Sequence, residues 1–536
     1  MSVIEQPKGH DQEGATRRLK VYRYARDNGG ERFDEFDVPE DGCKTVLDAL
    51  RWIQLHRDPS LSLRHSCLHA SCGTCGVRVD GKEALACVCY LADLGDEIVV
   101  EPMANVPAVT DVVVDMGSFY ERLPDPHPII RVSEVLPDAE PPGGLDAYVR
   151  FEDCIECALC VSACPIGDPV TGFVGPAALA AAGRLLEEPR GAEREEVLAW
   201  AAAPHGVWDC TTCMACVQAC PAGIEQLPAI IGLRRALVER GDLDPLLANA
   251  LQNFALQGNS YGKSSRTRAR WTRALDFQIP DARTEPVDYV WFVGDFASFD
   301  ERVTLASQRL ARILHDAGVS FGLLFEGERS AGNDVRRVGE EGLFQALVEH
   351  NLDVLRQAEF KAIFTTDPHS LNTLRNDYPE FGLDKPVYHY TELLADLVTR
   401  GVLSLNAPLT GVRVTYHDPC YLARYNDITD QPRELIRATG CELIEMPRHG
   451  ANTFCCGAGG GRIWMSESDG GERPSEQRIR EAQALGGIDY FVVSCPKDLA
   501  MYTDAAKTVG AEFEVVELTA LVERALQCGS NSPISR

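Results

Sequence analysis

Residues 154–165 read CIECALCVSACP, and residues 210–221 read CTTCMACVQACP. In each run three cysteines recur at every third position, and a fourth cysteine follows four positions later, directly before a proline. This is the bacterial ferredoxin spacing, in which the fourth cysteine of each run ligates the cluster of the other run. A doubled run arises by chance far less readily than a lone Cys-x-x-Cys. The two runs predict two 4Fe-4S clusters, one held by Cys154, Cys157, Cys160 and Cys220, the other by Cys164, Cys210, Cys213 and Cys216.

A third cysteine motif precedes these runs, in residues 66–87, SCLHASCGTCGVRVDGKEALAC. Its spacing of four and then two intervening residues, with a distant fourth cysteine, is typical of plant-type 2Fe-2S ferredoxins. Zinc is the alternative metal, but zinc sites favour two paired Cys-x-x-Cys arms. Gly73 and Gly76 allow the loop backbone to approach the sulfides without a side-chain clash. The motif predicts a 2Fe-2S cluster on Cys67, Cys72, Cys75 and Cys87.

The composition supports metal binding by these thiols. The chain has 536 residues, 20 cysteines and a formal net charge of −28. The first residues, MSVIEQPKGHDQEGATRR, contain no apolar run typical of a secretory signal, so we expect a cytoplasmic protein with reduced thiols. The negative charge disfavours nucleic acid as a partner. Because the most apolar stretches are shorter than the roughly 20 residues that span a bilayer, no segment is expected to cross a membrane unaided.

The pattern along the chain predicts several domains. LKVYRYA and ERFDEFDVP are expected to form a hairpin around Asn28 and Gly29, and TVLDALRWIQLH an amphipathic helix. Beyond residue 285, strands alternate with helices, and the pattern occurs twice, since VRVTYHDPC corresponds to VDYVWFVGD. The predicted segments are a disordered tail (1–17), a 2Fe-2S domain (18–118), a helical dicluster domain (119–248), a basic linker (249–285), two repeat copies (286–405 and 406–526) and a second tail (527–536).

The order of a 2Fe-2S domain and a helical two-cluster domain resembles the iron-sulfur subunit of succinate dehydrogenases and fumarate reductases. The stretches VLDALRWIQLHRDPSLSLRHSC and VVVDMGSFYERL are also similar to that family, and the resemblance covers about residues 20 to 245. In most of the family the third cluster is 3Fe-4S, because an apolar residue replaces the second cysteine of the last run. Cys213 occupies that position here, so a full 4Fe-4S cluster is expected instead.

The second repeat copy carries a fourth set of cysteines, in HDPCYLARYN, FCCGAGGGRIW and SCPKD. These segments resemble the cysteine-rich CCG domains of heterodisulfide reductase, thiol:fumarate reductase and the lactate or glycolate oxidase iron-sulfur subunits. That resemblance implies an additional 4Fe-4S cluster on Cys420, Cys455, Cys456 and Cys495. The family's closing cysteine is Asp498 here, which leaves its role as a ligand open. The implied fold class is multidomain α+β: a β-grasp 2Fe-2S ferredoxin domain, an α-helical two-cluster ferredoxin domain and an α/β duplicated CCG domain.

The first repeat copy lacks these thiols. Equal intervals place Asp295, Ser330, Asp367 and Ser370 at the corresponding positions. Since iron-sulfur clusters require soft thiolate ligands, we expect that this copy has no cluster and persists as a structural half. A hard-metal site on Asp295 and Asp367 is the alternative, although two carboxylates alone rarely fill an oxygen coordination shell.

Some residues stand outside these motifs. The glycine-rich GAGGGR after Cys456 lacks the third glycine of the dinucleotide fingerprint, so we interpret it as a site of close backbone approach and hydrogen bonding to a cluster. A basic patch in the linker indicates either a solvated connector or a membrane or subunit contact; it consists of Arg266, Arg268, Arg270 and Arg273. Four cysteines are interpreted as packing or surface thiols, namely Cys43, Cys89, Cys441 and Cys528.

No residue in the sequence has the pattern of an acid, base or nucleophile for substrate chemistry, and no flavin fold is encoded. The resemblance implies a partner subunit that holds FAD and acts on succinate or fumarate, with the clusters passing electrons one at a time. Three hypotheses remain for the role of the CCG half. It passes electrons to a quinone, with this chain peripheral on the inner face of the cell membrane beside a membrane-anchor subunit, or it exchanges electrons with a thiol pair. The third hypothesis is that it is a non-enzymatic assembly platform. An iron-sulfur subunit of a lactate or glycolate dehydrogenase is a further alternative.

Overall fold

The computed structural model describes residues 15–25, 30–124, 153–167, 172–187, 194–466 and 471–526. The predicted hairpin turn at Asn28 and Gly29, Cys528 and most of both predicted tails lie outside these ranges. The chain forms two compact units. The first comprises Met1–Leu123, Val149–Cys164 and Ala219–Ile224, and the second Pro124–Tyr148, Pro165–Gln218 and Glu225–Arg536. Among the described residues, no helix is both long enough and apolar enough to span a membrane.

The first unit is built on a five-stranded mixed sheet. The strands lie in the order β2-β1-β5-β3-β4, with β1 and β5 parallel and the other neighbours antiparallel. Two further short strands, β6 and β7, pair with each other. The elements are β1 Thr16–Arg23, β2 Arg32–Pro39, α1 Val46–His56, β3 Gly76–Val79, β4 Lys82–Leu85, β5 Glu97–Glu101, β6 Ala108–Thr110, β7 Val113–Val114, α2 Gly117–Tyr120 and α3 Leu159–Ser162.

Local sequence explains these elements. The hydroxyl of Thr45 accepts from the Asp48 amide while the Asp48 carboxylate accepts from the Thr45 amide, a capping box that starts α1. Helix α1 buries one apolar face, which includes Leu50 and Ile53. The turn between β3 and β4 needs two left-handed residues, Asp80 at φ 50° and Gly81 at φ 73°, as the Asp-Gly pattern predicts. The paired strands of the predicted first hairpin and the predicted helix are therefore present.

Helices open the second unit before its two α/β repeats. They are α4 Pro176–Glu187, α5 Arg194–Ala202, α6 Ala215–Gln218, α7 Gln226–Arg240 and α8 Pro245–Gln257. Asp244 caps α8 by accepting from two amides, and Pro245 occupies the first turn, where a missing N–H costs nothing. Residues 249–257, predicted as the start of a linker, therefore belong to a helix.

The two repeats have the same topology. The first forms the parallel sheet β11-β10-β8-β9, and the second forms β15-β14-β12-β13, the same order when matched strand for strand. The first contains β8 Tyr289–Phe292, α9 Asp295–Phe299, α10 Glu301–Asp316, β9 Phe321–Gly322, α11 Asn333–Arg337, α12 Glu341–Leu355, β10 Ala362–Thr365, α13 Pro368–Asn372, β11 Val387–His389 and α14 Tyr390–Thr399. The second contains β12 Arg413–Tyr416, α15 Cys420–Asn426, α16 Asp430–Ala438, β13 Glu442–Leu443, α17 Pro474–Gln483, β14 Tyr490–Val493, α18 Pro496–Val509, β15 Glu514–Glu517 and α19 Leu518–Leu526.

The repeats share one hydrophobic core. Trp291 and Tyr390 of the first copy lie in the same buried cluster as Phe491 and Tyr502 of the second. Each large aromatic side chain of this kind contributes roughly 150–250 Å² of buried surface. The first copy is therefore part of the folded body of the second, whether or not it binds a metal.

Candidate iron-sulfur sites

The loop of the third motif directs backbone N–H groups at its cysteines. Leu68 and Ala70 have positive φ angles of 65° and 62°, which turn successive amides towards the same side. The amides of residues 69 and 71 donate to Cys67 Sγ at 3.4 and 3.3 Å, and the Ala70 amide donates to Cys87 Sγ at 3.3 Å. These hydrogen bonds, the His69 amide first, lower the pKa of the Cys67 thiol to about 5. The loop is thus organised to stabilise thiolate.

The inner half of this motif is buried. Cys75 and Cys87 are 5% and 7% exposed, and burial raises the pKa of Cys75 to about 12. A thiol with so high a pKa becomes a thiolate only beside a cation, since burial disfavours an uncompensated charge. Four sulfurs, with amide donors at the outer rim and buried thiols inside, form a donor set that fits a 2Fe-2S cluster.

The first ferredoxin-type run lies in the same unit, together with the fourth cysteine of the second run. Cys154, Cys157 and Cys160 lead into α3 and its first turn, and the charge of Cys220 acts on both Cys154 and Cys157. Burial raises the pKa of Cys157 to about 11. Cys154 and Cys220 thus lie in the same compact unit, and their sharing of one cluster remains a prediction from the crossed ferredoxin spacing. The Asn105 side chain fixes the end of the run by donating to the carbonyl oxygens of Val161, Ser162 and Cys164 at 2.8, 3.1 and 2.9 Å.

Gly73 brings the 2Fe-2S loop into contact with this run. It has φ 70°, and a Cβ added to it would lie 2.8 Å from Cys157 Cβ and 3.0 Å from the Ile155 carbonyl oxygen. Only glycine fits both the conformation and the space. The sequence predicts that Gly73 approaches the sulfides; the structure adds a direct approach to the neighbouring cysteine loop.

The other three cysteines of the second run lie in the second unit, close to the cysteines of the second repeat. Cys213 and Cys216 are buried, and burial raises the pKa of Cys210. Thr212 and Met214 have positive φ angles of 55° and 64°, which turn the run around its thiols. Cys164, the predicted fourth member, belongs to the first unit, so this set remains a prediction from the spacing.

The four motif cysteines of the second repeat are all buried. Cys420 is the first residue of α15, Cys495 directly precedes α18, and Cys455 and Cys456 lie between β13 and α17. None of the four is more than 8% exposed. Hydrogen bonds from the thiols of Cys213, Cys420 and Cys456 hold the pKa of Cys455 well below its usual range.

The remaining thiols of the site need a positive charge before they can ionise. The pKa values of Cys420, Cys456 and Cys495 are raised well above normal, for Cys420 and Cys456 chiefly by hydrogen bonding to Cys455 and for Cys495 by burial. The thiols of Cys420, Cys455 and Cys456 are thus linked by hydrogen bonds, and Cys495 is buried in the same repeat. Soft sulfur donors of this kind fit an iron-sulfur cluster, which would supply the missing cation.

Asp498 lies at the same site. It is 2% exposed, and burial raises the pKa of its carboxyl group to about 7, while a hydrogen bond with Cys456 opposes that shift. Its Oδ2 atom has no hydrogen-bond partner in the described part of the chain. Although His417 Nε2 lies 3.6 Å away, this buried oxygen accepts no hydrogen bond from the described residues, so it is available to a further ligand or proton.

Helix α15 fastens the second ferredoxin-type run to the repeat. Tyr421 and Thr212 share a hydrogen bond of 2.9 Å between their hydroxyl groups, and the Tyr425 hydroxyl donates to the Thr212 carbonyl at 2.6 Å. The Arg424 guanidinium donates to the Cys213 carbonyl at 3.2 Å. The Thr211 hydroxyl lies 3.4 Å from Cys455 Sγ. Two cysteine motifs that are more than 200 residues apart in sequence thus form one packed structure.

The glycine-rich loop explains how the run comes so close. A Cβ on Gly459 would overlap the Thr211 carbonyl oxygen, and one on Gly460 would lie 2.9 Å from the Cys210 carbonyl oxygen. The expected close backbone approach is present, and the backbone approached is that of the second cysteine run.

The first repeat has a buried ion-pair network at the corresponding place. Arg268 is 3% exposed and pairs with Asp295 at 2.9 Å and with Glu328 at 2.8 Å. For Arg268 both predicted alternatives, a solvated connector and a membrane or subunit contact, are therefore wrong, because its side chain is buried in ion pairs. Asp367 accepts from the Ser370 hydroxyl at 2.7 Å. With Arg268 bound to Asp295, the hard-metal alternative loses its principal carboxylate.

Comparison with known families agrees with the motif order. The model of the 2Fe-2S iron-sulfur cluster binding domain matches residues 18–121, that of the 4Fe-4S dicluster domain matches 150–224, and that of the cysteine-rich domain matches 299–375 and 414–500. The cysteine-rich model thus matches both repeats. A hypothetical protein from Helicobacter pylori of known structure has a similar fold, with a TM-score of 0.60 at 11% identity over 97% of each chain.

Three curated relatives are informative. The chain is 38% identical over 328 residues to the EtfAB:quinone oxidoreductase of Syntrophomonas wolfei, covering 58% of this chain and 46% of that protein. It is 26% identical over 502 residues to a subunit of the CoM/CoB fumarate reductase of Methanothermobacter marburgensis, covering 92% and 95%. It is 39% identical over 222 residues to the fumarate reductase iron-sulfur subunit of Mycobacterium tuberculosis, covering 40% and 89%.

The coverage differs among these relatives. The chain spans about half the length of the first curated relatives it matches. It covers almost all of the fumarate reductase iron-sulfur subunit, at an identity well above that expected for unrelated sequences. The chain therefore belongs to the succinate dehydrogenase/fumarate reductase family of iron-sulfur subunits, with a duplicated cysteine-rich domain fused to it.

Proposed function

We propose that this chain is the iron-sulfur electron-transfer subunit of a succinate dehydrogenase/fumarate reductase-type oxidoreductase, which relays electrons between a flavoprotein subunit and a quinone. The observation that carries the proposal is the contact between successive cysteine motifs. Gly73 lies against Cys157 in the first unit, and Cys213 lies against Cys455 in the second. Iron-sulfur clusters supply one-electron transfer, and a relay requires short gaps between neighbouring centres.

The proposed ligands follow the motifs. A 2Fe-2S cluster is assigned to the third motif, two 4Fe-4S clusters to the crossed ferredoxin runs and a further 4Fe-4S cluster to the second repeat, with Asp498 as an additional donor. The assigned cysteines are Cys67, Cys72, Cys75 and Cys87; Cys154, Cys157, Cys160 and Cys220; Cys164, Cys210, Cys213 and Cys216; and Cys420, Cys455, Cys456 and Cys495. The sheet of the first unit, with α1 beside it, supports the β-grasp assignment, and the boundaries given above remain the proposed domain limits.

The proposed partners follow from the chemistry that this chain offers. The cysteine sites in the described ranges are suited to one-electron transfer and not to chemistry on an organic substrate. The substrate chemistry is therefore assigned to an FAD-containing subunit that oxidises succinate or reduces fumarate. A membrane-anchor subunit and a quinone complete the proposed complex, with this chain peripheral on the inner face of the cell membrane. The name of the Syntrophomonas relative, which specifies a quinone oxidoreductase, supports a quinone as the acceptor.

A thiol-linked function is the second candidate, because the CoM/CoB fumarate reductase relative matches almost the whole chain. Chemistry that splits a disulfide between two clusters needs an iron site in each repeat. In the first repeat the corresponding position is occupied by the ion pairs of Arg268 with Asp295 and Glu328. One cluster in the second repeat still allows one-electron relay to a quinone, so the quinone function is favoured.

The test is to isolate the complex with its flavoprotein and assay fumarate reduction with a reduced quinone analogue and, separately, with low-molecular-weight dithiols. A Cys455→Ser variant should lose quinone-linked turnover but retain succinate oxidation with an artificial acceptor that takes electrons before the repeat. Cys441→Ser is the matched control, because Cys441 is buried in the same repeat but lies outside the motif. Turnover with thiols alone would establish the second candidate. Full quinone turnover in Cys455→Ser would show that electrons do not pass through the second repeat, and the repeats would then serve only as an assembly platform.

A further inference from the structure

Arg234 of helix α7 is fully buried, with no exposed surface. A guanidinium group inside a protein normally has a carboxylate partner, since an isolated buried charge is strongly unfavourable. In the described part of the chain, no carboxylate forms an ion pair or hydrogen bond with Arg234. The group therefore needs another source of negative charge.

Backbone carbonyl groups accept hydrogen bonds from all three nitrogen atoms of the Arg234 side chain. Its Nε and Nη2 donate to the Val207 carbonyl at 3.2 and 2.9 Å, and Nη2 also donates to the Cys210 carbonyl at 2.5 Å. Its Nη1 donates to the carbonyl oxygens of Arg337 and Gly460 at 3.1 and 3.0 Å. The guanidinium lies 5.3 Å from the Trp208 ring. Arg234 thus joins the second cysteine run to both repeats.

These contacts satisfy the hydrogen-bonding groups but leave the charge uncompensated. The shortest of these hydrogen bonds, at 2.5 Å, goes to the carbonyl oxygen of Cys210, so the buried guanidinium lies beside the backbone of a proposed cluster ligand. Other charged groups nearby are already paired: Arg462 lies 3.3 Å from the Asp209 carboxylate, so that pair is close to neutral. Arg424 also contacts the run, through the Cys213 carbonyl, but it is partly exposed and hence screened by solvent.

We infer that Arg234 is a positioning residue for the second 4Fe-4S cluster and raises the reduction potential of that cluster by placing a buried positive charge beside the Cys210 ligand. This inference rests on the proposed assignment of Cys210 and Cys213 as ligands. Four thiolates around a cluster give a net negative charge, which balances the guanidinium. Reduction adds one more negative charge, and a nearby cation in a medium of low dielectric constant favours the reduced state.

The experiment isolates the signal of this one cluster. In the full chain, Cys213→Ile should convert it to a 3Fe-4S cluster, which is paramagnetic when oxidised and so can be titrated by electron paramagnetic resonance. Adding Arg234→Gln should shift the ratio of oxidised to reduced cluster at a fixed potential by at least tenfold towards the oxidised form, about 59 mV for one electron. Arg234→Lys keeps the charge and should shift the ratio by much less. Arg235→Gln, at the adjacent exposed position paired with Glu341, should cause no shift.

The possible results distinguish a failure of the ligand assignment from a failure of the proposed charge effect. If Cys213→Ile alone gives no 3Fe-4S signal, the ligand assignment in the proposed function fails. If the signal appears and Arg234→Gln leaves the potential unchanged, or Arg234→Lys shifts it as far as Arg234→Gln does, the charge effect is wrong. If Arg234→Gln does not retain the cluster, the test uses Arg234→Lys instead. A reduction potential equal to that of the Cys213→Ile protein supports the inference, and a lower potential overturns it.

Discussion

Substituting Gly73 by alanine tests the contact between the 2Fe-2S loop and the first ferredoxin-type run. The new Cβ would lie 2.8 Å from Cys157 Cβ and 3.0 Å from the Ile155 carbonyl oxygen. Because carbon atoms normally pack about 3.5–4.0 Å apart, the two loops must separate by roughly 0.7 Å or more. Overpacking of this kind costs about 1–3 kcal/mol. The positive φ adds about 1–2 kcal/mol, the usual cost for alanine in the left-handed region.

Gly81→Ala is the matched control, because Gly81 has almost the same φ, 73°, but a Cβ added there would have no atom within 4 Å. The two variants share the backbone strain and differ only in the clash with Cys157. A difference of about 1–3 kcal/mol in the opening equilibrium corresponds to a factor of roughly 5 to 150. We therefore expect iron to be released to a chelator from the first 4Fe-4S site roughly 5 to 150 times faster in Gly73→Ala than in Gly81→Ala.

The assay follows iron release from the anaerobically reconstituted full chain and, in parallel, the magnetic interaction between the reduced 2Fe-2S and first 4Fe-4S centres. Gly73→Ala should weaken that interaction, since the loops are further apart, while Gly81→Ala should leave it as in the parent protein. Equal release rates and equal spectra in the two variants would refute the reasoning, because the contact with Cys157 would then have no energetic weight.

Three further predictions concern the other sites. The anaerobically oxidised parent protein should show no 3Fe-4S signal; a stoichiometric 3Fe-4S signal that added iron does not convert would contradict the ligand role of Cys213. Cys455→Ser should lower the iron content of the reconstituted chain by about four atoms, whereas Cys441→Ser should leave it unchanged; an equal iron content in both would mean that the second repeat holds no cluster. Arg268→Met should destabilise the second unit by about 3–5 kcal/mol in denaturant unfolding, because Asp295 and Glu328 would be buried without their cation, while Arg266→Met at an exposed position should cost little; similar midpoints for both variants would argue against the buried network.

Sequence periodicity predicted the local elements well, because their causes are local. The Asp-Gly turn at Gly81 depends on adjacent residues, and the internal repeat depends on a repeated interval. The predicted helix α1 likewise begins at a local capping box, which the structure adds. The cysteine spacings likewise indicated which thiols belong to each motif. Cys220 and Cys154, which the crossed ferredoxin pattern assigns to one cluster, lie in the same unit.

Contacts between segments that are distant in sequence could not be predicted in this way. Cys213 and Cys455 belong to two motifs, each defined by its own cysteine spacing. Neither spacing predicts that the two thiols lie against each other. Arg234 is the first of two consecutive arginines in α7, and nothing in the sequence distinguishes the buried Arg234 from the exposed Arg235. For Arg268, the basic character of its neighbours predicted a solvated connector or a surface contact, and neither includes a buried ion pair. The glycine-rich loop gave the one usable indication, since three successive glycines predicted a close backbone approach but not the segment approached.

The two repeats have the same topology but different charged groups at equivalent positions. In the second, hydrogen bonds with neighbouring thiols lower the pKa of Cys455, while the pKa values of Cys420 and Cys456 are raised, so thiolates at those two positions need a nearby cation. In the first, the corresponding region already contains the guanidinium of Arg268, bound to Asp295 and Glu328. A protein cation with its own carboxylates removes the need for a metal cation. Restoring a cysteine at position 295 would therefore not recreate a cluster site, because Arg268 would remain beside it and Glu328 would remain its partner. The missing thiols of the first repeat are therefore accompanied by a buried ion-pair network, and only the missing thiols could be read from the sequence.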